Sequence, residues 1–120
     1  MRRNLQGSRA EYMQHKERAR SMATTRLQFF NTVYGFAVKR VSIKNQKTMW
    51  GSCSRRGNLN FHYKISLLPE RLADYIIVHE LCHIGEFSHS KAFWNLVAET
   101  VPNHRELRGE LRLHKGNESR

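Results

Sequence analysis

The sequence predicts an α+β fold, in which a long N-terminal helix precedes a small antiparallel sheet and further helices follow. Residues 8–34 contain neither proline nor glycine and place apolar residues at helical spacing. Residues 58–65 alternate between polar and apolar side chains, which is typical of a strand. Residues 69–84 are rich in apolar residues. We expect residues 1–120 to form a single domain, because a chain of this length can bury its own core.

The first helix is predicted from about Ser8 to Tyr34, with Gly35 ending it. Its apolar residues recur every three or four positions and therefore share one face. That face carries Ala19, Met22, Ala23, Leu27, Phe30 and Tyr34. The opposite face is basic and carries Arg9, Lys16, Arg18, Arg20 and Arg26.

Three short strands are expected next, at residues 38–43, 48–54 and 58–65. The first and third alternate between apolar and polar residues, and Gly57-Asn58 has the composition of a turn between the second and third. We expect the three strands to form a small antiparallel sheet.

Three helices are predicted after the sheet. Pro69 opens the first of them, which runs to about Ile84, is apolar almost all round and should be buried. Gly85 is expected to end it. The next two helices are expected at about 90–101 and 103–113.

The net charge of +11 is unevenly distributed. Residues 1–56 contain 13 Lys or Arg and two acidic residues, whereas residues 57–120 contain eight of each kind. A basic half of this kind is either a surface for nucleic acid or another polyanion, or a solvated face that keeps the protein soluble. Both interpretations stay open, since no basic motif interleaved with aromatic residues accompanies the charge.

Composition also bears on the compartment. No apolar run approaches the ~18 residues of a membrane helix, and the basic N-terminus lacks the apolar segment of a signal peptide. Two cysteines, Cys53 and Cys82, are too few for a disulfide scaffold. We expect a cytoplasmic monomer without a membrane partner, in which both thiols pack as small apolar groups.

The segment H-E-L-C-H of the buried helix carries the predicted chemistry. His79 and His83 are four residues apart, so they project from one face of the helix and can share one tetrahedral metal ion. Glu80 is rotated away from that face and can act as a base towards a metal-bound water. The imidazole ligands indicate Zn²⁺ and a hydrolase.

The third ligand is expected beyond the break at Gly85. We favour His89, because it lies next to the break and imidazole is a strong zinc ligand. Glu99 is the alternative, as in gluzincins, and Glu86 is a weaker one. Three protein ligands would leave one position open, which is the catalytic pattern. A metzincin is disfavoured, because Gly85 stands one position early and no methionine follows Met49.

Three segments resemble the YgjP-like metallopeptidase domain, which is related to the SprT-like zinc proteases: MWGSCSRRGNLNFHYKISLLP, LADYIIVHELCHIGEFSHSKAFW and VPNHRELRGEL. The resemblance runs from about Glu11 to Leu111 and implies a minimal zincin-like fold, similar in scale to the minigluzincins. Family members usually carry a β-rich segment before the first long helix, whereas this chain begins almost at that helix. We therefore expect a more open substrate cleft.

The resemblance also implies roles for individual residues. It makes His79, His83 and His89 ligands of Zn²⁺ and Glu80 the general base. The family usually has an aromatic hydroxyl residue in the P-x-Y stretch after the next helix, where this chain has His104. We expect His104 to help stabilise the oxyanion, because a histidine can donate the same hydrogen bond.

The predicted reaction is hydrolysis of a peptide bond in a peptide or protein substrate. The substrate backbone could pair with a strand at 50–54 or 58–63, and His62 and Tyr63 are secondary candidates for oxyanion stabilisation. Two rival functions remain. One is a zinc hydrolase of nucleotide phosphoanhydrides, and the other is a nucleic-acid-binding module with a structural metal. The resemblance to SprT-like proteins allows DNA binding and proteolysis together.

Overall fold

The computed structural model describes residues 4–114 and residue 116. Within them the chain forms four α-helices, one 3₁₀ helix and three strands, which confirms the α+β class. In chain order these are α1 (Arg9–Tyr34), β1 (Arg40–Lys44), β2 (Gly51–Cys53), β3 (Asn58–His62), the 3₁₀ helix (Tyr63–Leu67), α2 (Glu70–Gly85), α3 (Lys91–Thr100) and α4 (His104–Leu111). Among the described helices, none combines the length and apolar character needed to span a bilayer.

The bounds of α1 follow from its two caps. The hydroxyl of Ser8 accepts a hydrogen bond of 3.1 Å from the backbone N–H of Glu11, so the helix starts at a Ser-x-x-Glu sequence typical of a capping box. Gly35 ends the helix with a φ of 68°, a conformation that glycine adopts without strain. The buried face of α1 carries Ala19, Ala23, Leu27 and Phe30.

The sheet is mixed, with the strand order β1-β3-β2. The predicted antiparallel pairing holds for β2 and β3, which are joined by a turn at Gly57 with a φ of 86°. It is wrong for β1, which runs parallel to β3, with Arg40 opposite Asn58 and Lys44 opposite His62. The alternation of side chains determines the two faces of a strand but not the direction of its neighbour, which is why the sequence did not reveal this pairing.

The strand predicted at 58–65 ends early, at His62. There the ring Nδ1 of His62 accepts a hydrogen bond of 3.1 Å from the backbone N–H of Lys64, and the chain continues into the 3₁₀ helix. Tyr63 and Ile65 are buried in that helix. They would alternate with exposed residues in a strand as well, so the pattern did not distinguish the two structures.

Helix α2 is the centre of the molecule and packs against α1, α3, α4 and β2. Its buried residues are Leu72, Ala73, Tyr75, Ile76, Ile77, Val78, His79, Glu80, Leu81, Cys82 and His83. Neighbours on all sides fix the rotation of this helix about its axis. The polar residues near its C-terminal end are therefore held in defined directions by the surrounding core.

Candidate metal centre

Three imidazole rings converge at the C-terminal end of α2. The Nε2 atom of His83 lies 3.3 Å from that of His79 and 3.1 Å from that of His89, and the remaining side of the triangle measures 3.2 Å. A tetrahedral zinc ion with Zn–N bonds of ~2.0–2.1 Å separates its ligand atoms by about 3.3–3.4 Å. The three nitrogens therefore fit a single metal ion of this kind.

Local structure explains how His89 reaches the other two rings. Helix α2 ends at Gly85, and α3 begins after Ser90, whose hydroxyl accepts a hydrogen bond of 3.2 Å from the backbone N–H of Phe93. His89 is the residue directly before this cap. The turn between the two helices is therefore held at both ends, and it returns the His89 ring to the face of α2 that carries the first two histidines.

Two aromatic residues at the start of α3 surround the triad. The ring of Phe93 stacks on His83 with a centroid distance of 4.2 Å and meets His79 and His89 edge-on at 5.1 and 5.2 Å. The indole of Trp94 lies 5.8 Å from His79 and 6.0 Å from His89. These contacts restrict the rotation of the three imidazoles.

Hydrogen bonds and burial keep two of the histidines in the form that binds a metal. The carbonyl of Glu86 can only accept, so Nδ1 of His83, at 3.1 Å, carries the hydrogen and leaves the Nε2 lone pair available. Nδ1 of His79 lies 3.4 Å from the hydroxyl of Tyr75. Burial lowers the pKa of His83 and, with the neighbouring imidazoles, places that of His79 well below its usual range. Both rings are thus neutral at pH 7.

Glu80 lies in the interior, between α2 and the edge strand β2, with 0% of its surface exposed. A Cβ atom at Gly51 of β2 would lie 2.9 Å from Cγ and 3.0 Å from Oε2 of Glu80. Burial, together with the charge of Glu80, raises the pKa of the Cys53 thiol to about 12. Burying a carboxylate costs free energy, which marks Glu80 as a functional candidate. Its role as the base stays a prediction.

His104 lies beside the triad rather than within it. Its ring stacks on Trp94 at 5.0 Å, and Trp94 in turn contacts His89. Burial and the charges of Arg105 and Arg108 lower the pKa of His104. A neutral ring at this position can donate a hydrogen bond, and oxyanion stabilisation by His104 stays a prediction.

Two residues near the site, Arg108 and Tyr75, were not identified as site residues from the sequence. The guanidinium of Arg108 lies 5.3 Å above the ring of Trp94, and its charge contributes to the lowered pKa of His79. Arg108 follows His104 by four residues, so helical spacing could have placed both on one face of α4. Tyr75 precedes His79 by four residues and could have been found in the same way.

The secondary oxyanion candidates have structural partners elsewhere. Both ring nitrogens of His62 are engaged by backbone groups, namely the carbonyl of Gln46 at 3.0 Å and the N–H of Lys64 at 3.1 Å. The hydroxyl of Tyr63 donates to the carboxylate of Glu11. Neither side chain is exposed. The structure therefore assigns both to the core and does not support a role in catalysis.

The alternative ligands do not join the triad. Among the described residues, one group of three or more His, Cys, Asp and Glu could hold a metal ion, and it consists of His79, His83 and His89. Glu99 is exposed on α3, whereas Glu86 offers its backbone carbonyl to His83. Cys53 and Cys82 are free thiols, and Cys82 is buried in the core, as predicted.

Comparisons with known proteins indicate the family and the fold. The chain is similar to the UTP pyrophosphatase of Escherichia coli (strain K12), with 40% identity over 45 residues, which are 38% of this chain. The chain matches only 27% of the length of that relative. It is also similar to the crystal structure of the metallopeptidase zymogen of Pyrococcus abyssi abylysin, with a TM-score of 0.71.

The structural match covers 78% of this chain and 97% of the abylysin chain at 22% sequence identity, so it shows a shared fold. The family model described as YgjP-like, metallopeptidase domain, matches residues 5–114. This range includes the sheet, the histidine triad and all four α-helices. The resemblance predicted from the sequence is therefore confirmed, and the chain belongs to the YgjP-like metallopeptidase domain family.

Proposed function

We propose that this chain is a zinc-dependent hydrolase of peptide bonds, with Glu80 as the general base. The proposal rests on the triangle of three Nε2 atoms, which lie 3.1–3.3 Å apart. Glu80, the residue directly after His79, is a buried glutamate. Three ligands leave a coordination position for water or substrate, as in catalytic zinc sites. Membership of a metallopeptidase family supports the same activity.

A zinc ion held by the triad would supply a Lewis acid and lower the pKa of a water molecule towards ~7. The residues of the chain supply the rest of the mechanism. Glu80 accepts the proton of the attacking water and returns it to the leaving amine. Phe93 holds the three imidazoles in place, and the neutral ring of His104 donates a hydrogen bond to the developing oxyanion.

Strand β2 is the proposed substrate-pairing element. It is an edge strand, because the order in the sheet is β1-β3-β2. An extended peptide can add to such an edge through backbone hydrogen bonds. Gly51 of β2 borders the side chain of Glu80. A peptide paired with β2 would therefore run close to the general base.

Hydrolysis of a nucleoside triphosphate is the second candidate function. The similarity to a protein named UTP pyrophosphatase favours it. In this reaction the oxygen of water forms a bond to phosphorus and the anhydride P–O bond breaks. Glu80 takes the proton of the water, and the displaced phosphate leaves with the electron pair of the broken bond.

Zinc content and activity of three proteins test the proposal: the wild type, Glu80→Gln and the control Glu99→Gln, which changes an exposed carboxylate of α3. We expect one zinc per chain in all three. Peptide hydrolysis should fall about 10²- to 10⁴-fold in Glu80→Gln alone. Peptide libraries and UTP are assayed side by side.

Two results would contradict the peptidase proposal. Surviving activity in Glu80→Gln would place the base elsewhere, and substoichiometric zinc in the reconstituted wild type would remove the metal centre. Hydrolysis of UTP without cleavage of any peptide would replace the first function by the second.

A further inference from the structure

A cavity of about 290 Å³ opens beside the metal centre. Its lining residues are Lys91, Trp94, His104, Arg105 and Arg108. Three of these residues are cationic, namely Lys91, Arg105 and Arg108, and among the described residues that line the cavity none is acidic. The cavity therefore attracts anions.

The ends of two helices add to this positive potential. Lys91 is the first residue of α3 and His104 is the first residue of α4, so both helices direct their N-terminal ends towards the cavity. A helix N-terminus carries partial positive charge and exposed N–H groups. Asn103, at the N-cap of α4, makes no capping hydrogen bond with its side chain. The backbone N–H of His104 donates to the carbonyl of Val101 at 3.1 Å, so α4 contributes to the cavity mainly through the partial positive charge of its N-terminus.

The indole of Trp94 lines the cavity and also contacts two histidines of the triad. Its ring lies 5.0 Å from His104 on the cavity side and 5.8 and 6.0 Å from His79 and His89. The guanidinium of Arg108 lies 5.3 Å from the centroid of the same ring. An anion in the cavity would therefore lie beside a residue that contacts two of the proposed metal ligands.

We propose that this cavity binds the phosphate chain of a nucleotide substrate. A phosphate chain carries more than one negative charge at neutral pH, and guanidinium groups match its oxygens in pairs. A peptide carboxylate carries a single charge and needs a single guanidinium. The indole of Trp94 already contacts His104 and Arg108, so it is not free to stack on a nucleobase. The cavity therefore holds the phosphates, and the nucleobase lies outside it. The inference rests on the second candidate function.

Calorimetric binding of inorganic pyrophosphate to the zinc-reconstituted protein tests this site. The double variant Lys91→Gln/Arg105→Gln removes two exposed cations of the cavity. The matched control Lys39→Gln/Arg40→Gln removes two exposed cations from a separate cavity between α1 and β1. We expect Kd for pyrophosphate to rise about tenfold or more in the first variant, because two charge-assisted contacts are lost, and to change little in the control.

Equal weakening in both variants would overturn the proposal, since only the net charge would then matter. Absence of pyrophosphate binding to the zinc-loaded wild type would also overturn it. A third arm compares peptides with free and amidated C-termini. In one outcome the Lys91→Gln/Arg105→Gln variant keeps its affinity for pyrophosphate, cleaves the amidated peptide normally and fails to cleave the peptide with a free C-terminus. That result would show that the cavity binds a C-terminal carboxylate instead.

Zinc content and peptide cleavage are measured on the same variants. Failure of pyrophosphate binding with normal zinc content and peptide cleavage rejects the phosphate site and leaves the peptidase proposal intact. Normal pyrophosphate binding without hydrolysis of peptides or UTP rejects the proposed activities, and the cavity is then a phosphate-binding site that serves no substrate.

Discussion

The position of the Glu80 side chain depends on the absence of a side chain at residue 51. A Cβ atom there would lie 2.9 Å from Cγ of Glu80 and 3.1 Å from the backbone carbonyl of Asn60, on the neighbouring strand. The backbone carbonyl is fixed by the sheet, so the carboxylate side chain would have to shift. This contact explains in physical terms why the W-G-S segment of β2 contains glycine.

Gly51→Ala is therefore expected to lower kcat about tenfold or more while zinc content stays at one per chain, because small displacements of a catalytic group have large effects. Gly109→Ala is the matched control. A Cβ at Gly109 would meet nothing within 4 Å, and alanine is favoured over glycine in the interior of α4 by roughly 0.5–1 kcal/mol. Equal loss of activity in both variants would contradict the steric explanation.

The histidine geometry was accessible from sequence only in part. Helical periodicity placed His79 and His83 on one face, because their spacing fixes their relative direction. The return of His89 depends on a turn that is held by Ser90 and by packing of Phe93, and the residue types favoured it without determining it. The contact between Gly51 and Glu80 joins distant parts of the chain, and no local pattern contains that information.

At the scale of an element, the N-terminal cap of α3 directly follows the proposed third ligand. The Ser90 hydroxyl fixes the first turn of the helix, and His89 precedes it. The Ser8 hydroxyl caps α1 in the same way, with a hydrogen bond of 3.1 Å, but Ser8 belongs to a different helix that supplies no ligand. These two serine caps make equivalent hydrogen bonds, and of the two it is the cap at Ser90 that adjoins the triad.

Ser90→Ala and Ser8→Ala should each lower the free energy of unfolding by about 1 kcal/mol, the usual effect of losing a serine cap. Only Ser90→Ala should also weaken zinc affinity, because the position of His89 becomes less restricted. Chemical denaturation measures the free energy of unfolding, and competition with a chelator measures the affinity for zinc. Zinc affinities that change equally in the two variants would show that the cap does not position the ligand.

The elements themselves were predicted unequally well. Helices α1 and α3 have capping residues in their sequences, so their starts could be located to within about two residues. The sheet is made of strands of five, three and five residues. Strands this short carry few periodic positions, and the parallel pairing of β1 with β3 depends on the path of the intervening chain rather than on either strand.

At the scale of the whole molecule, ion pairs reduce the excess of positive charge on the surface of α1 below what the sequence suggests. Arg26 makes two hydrogen bonds, of 2.9 and 2.8 Å, with the carboxylate of Asp74 on α2. Arg20 is paired with Glu17 on α1 itself. Two of the five cations of the predicted basic face are therefore neutralised by partners, and binding of nucleic acid stays a prediction.

We expect this binding to be weak and strongly dependent on salt, because it would rest on phosphate contacts without base recognition. Fluorescence anisotropy with a labelled DNA duplex, measured between about 50 and 200 mM salt, tests it. Glu80→Gln should bind as the wild type does, since Glu80 is buried. No binding even at the lowest salt would exclude nucleic acid as a partner.

The stability of the whole molecule should depend on pH through His62. Burial lowers the pKa of this imidazole to about 4, and its Nδ1 must stay unprotonated to accept from the Lys64 N–H. In the unfolded chain the pKa returns to about 6.5. Between these two values the unfolded state binds a proton that the folded state does not, so the free energy of unfolding falls as the pH falls.

We predict that the zinc-free protein loses roughly 3 kcal/mol of stability from His62 alone between about pH 6.5 and pH 4, from a shift of this size. The lowered pKa values of His79 and His83 act in the same direction. Urea unfolding in the presence of a chelator, from pH 4.5 to 7.5 in about half-unit steps, measures how the free energy of unfolding changes with pH from all three histidines together. His62→Gln should show a shallower slope, corresponding to about one proton fewer taken up on unfolding. Because slopes are compared, lower stability of the variant does not affect the test, and parallel curves would show that His62 is not responsible.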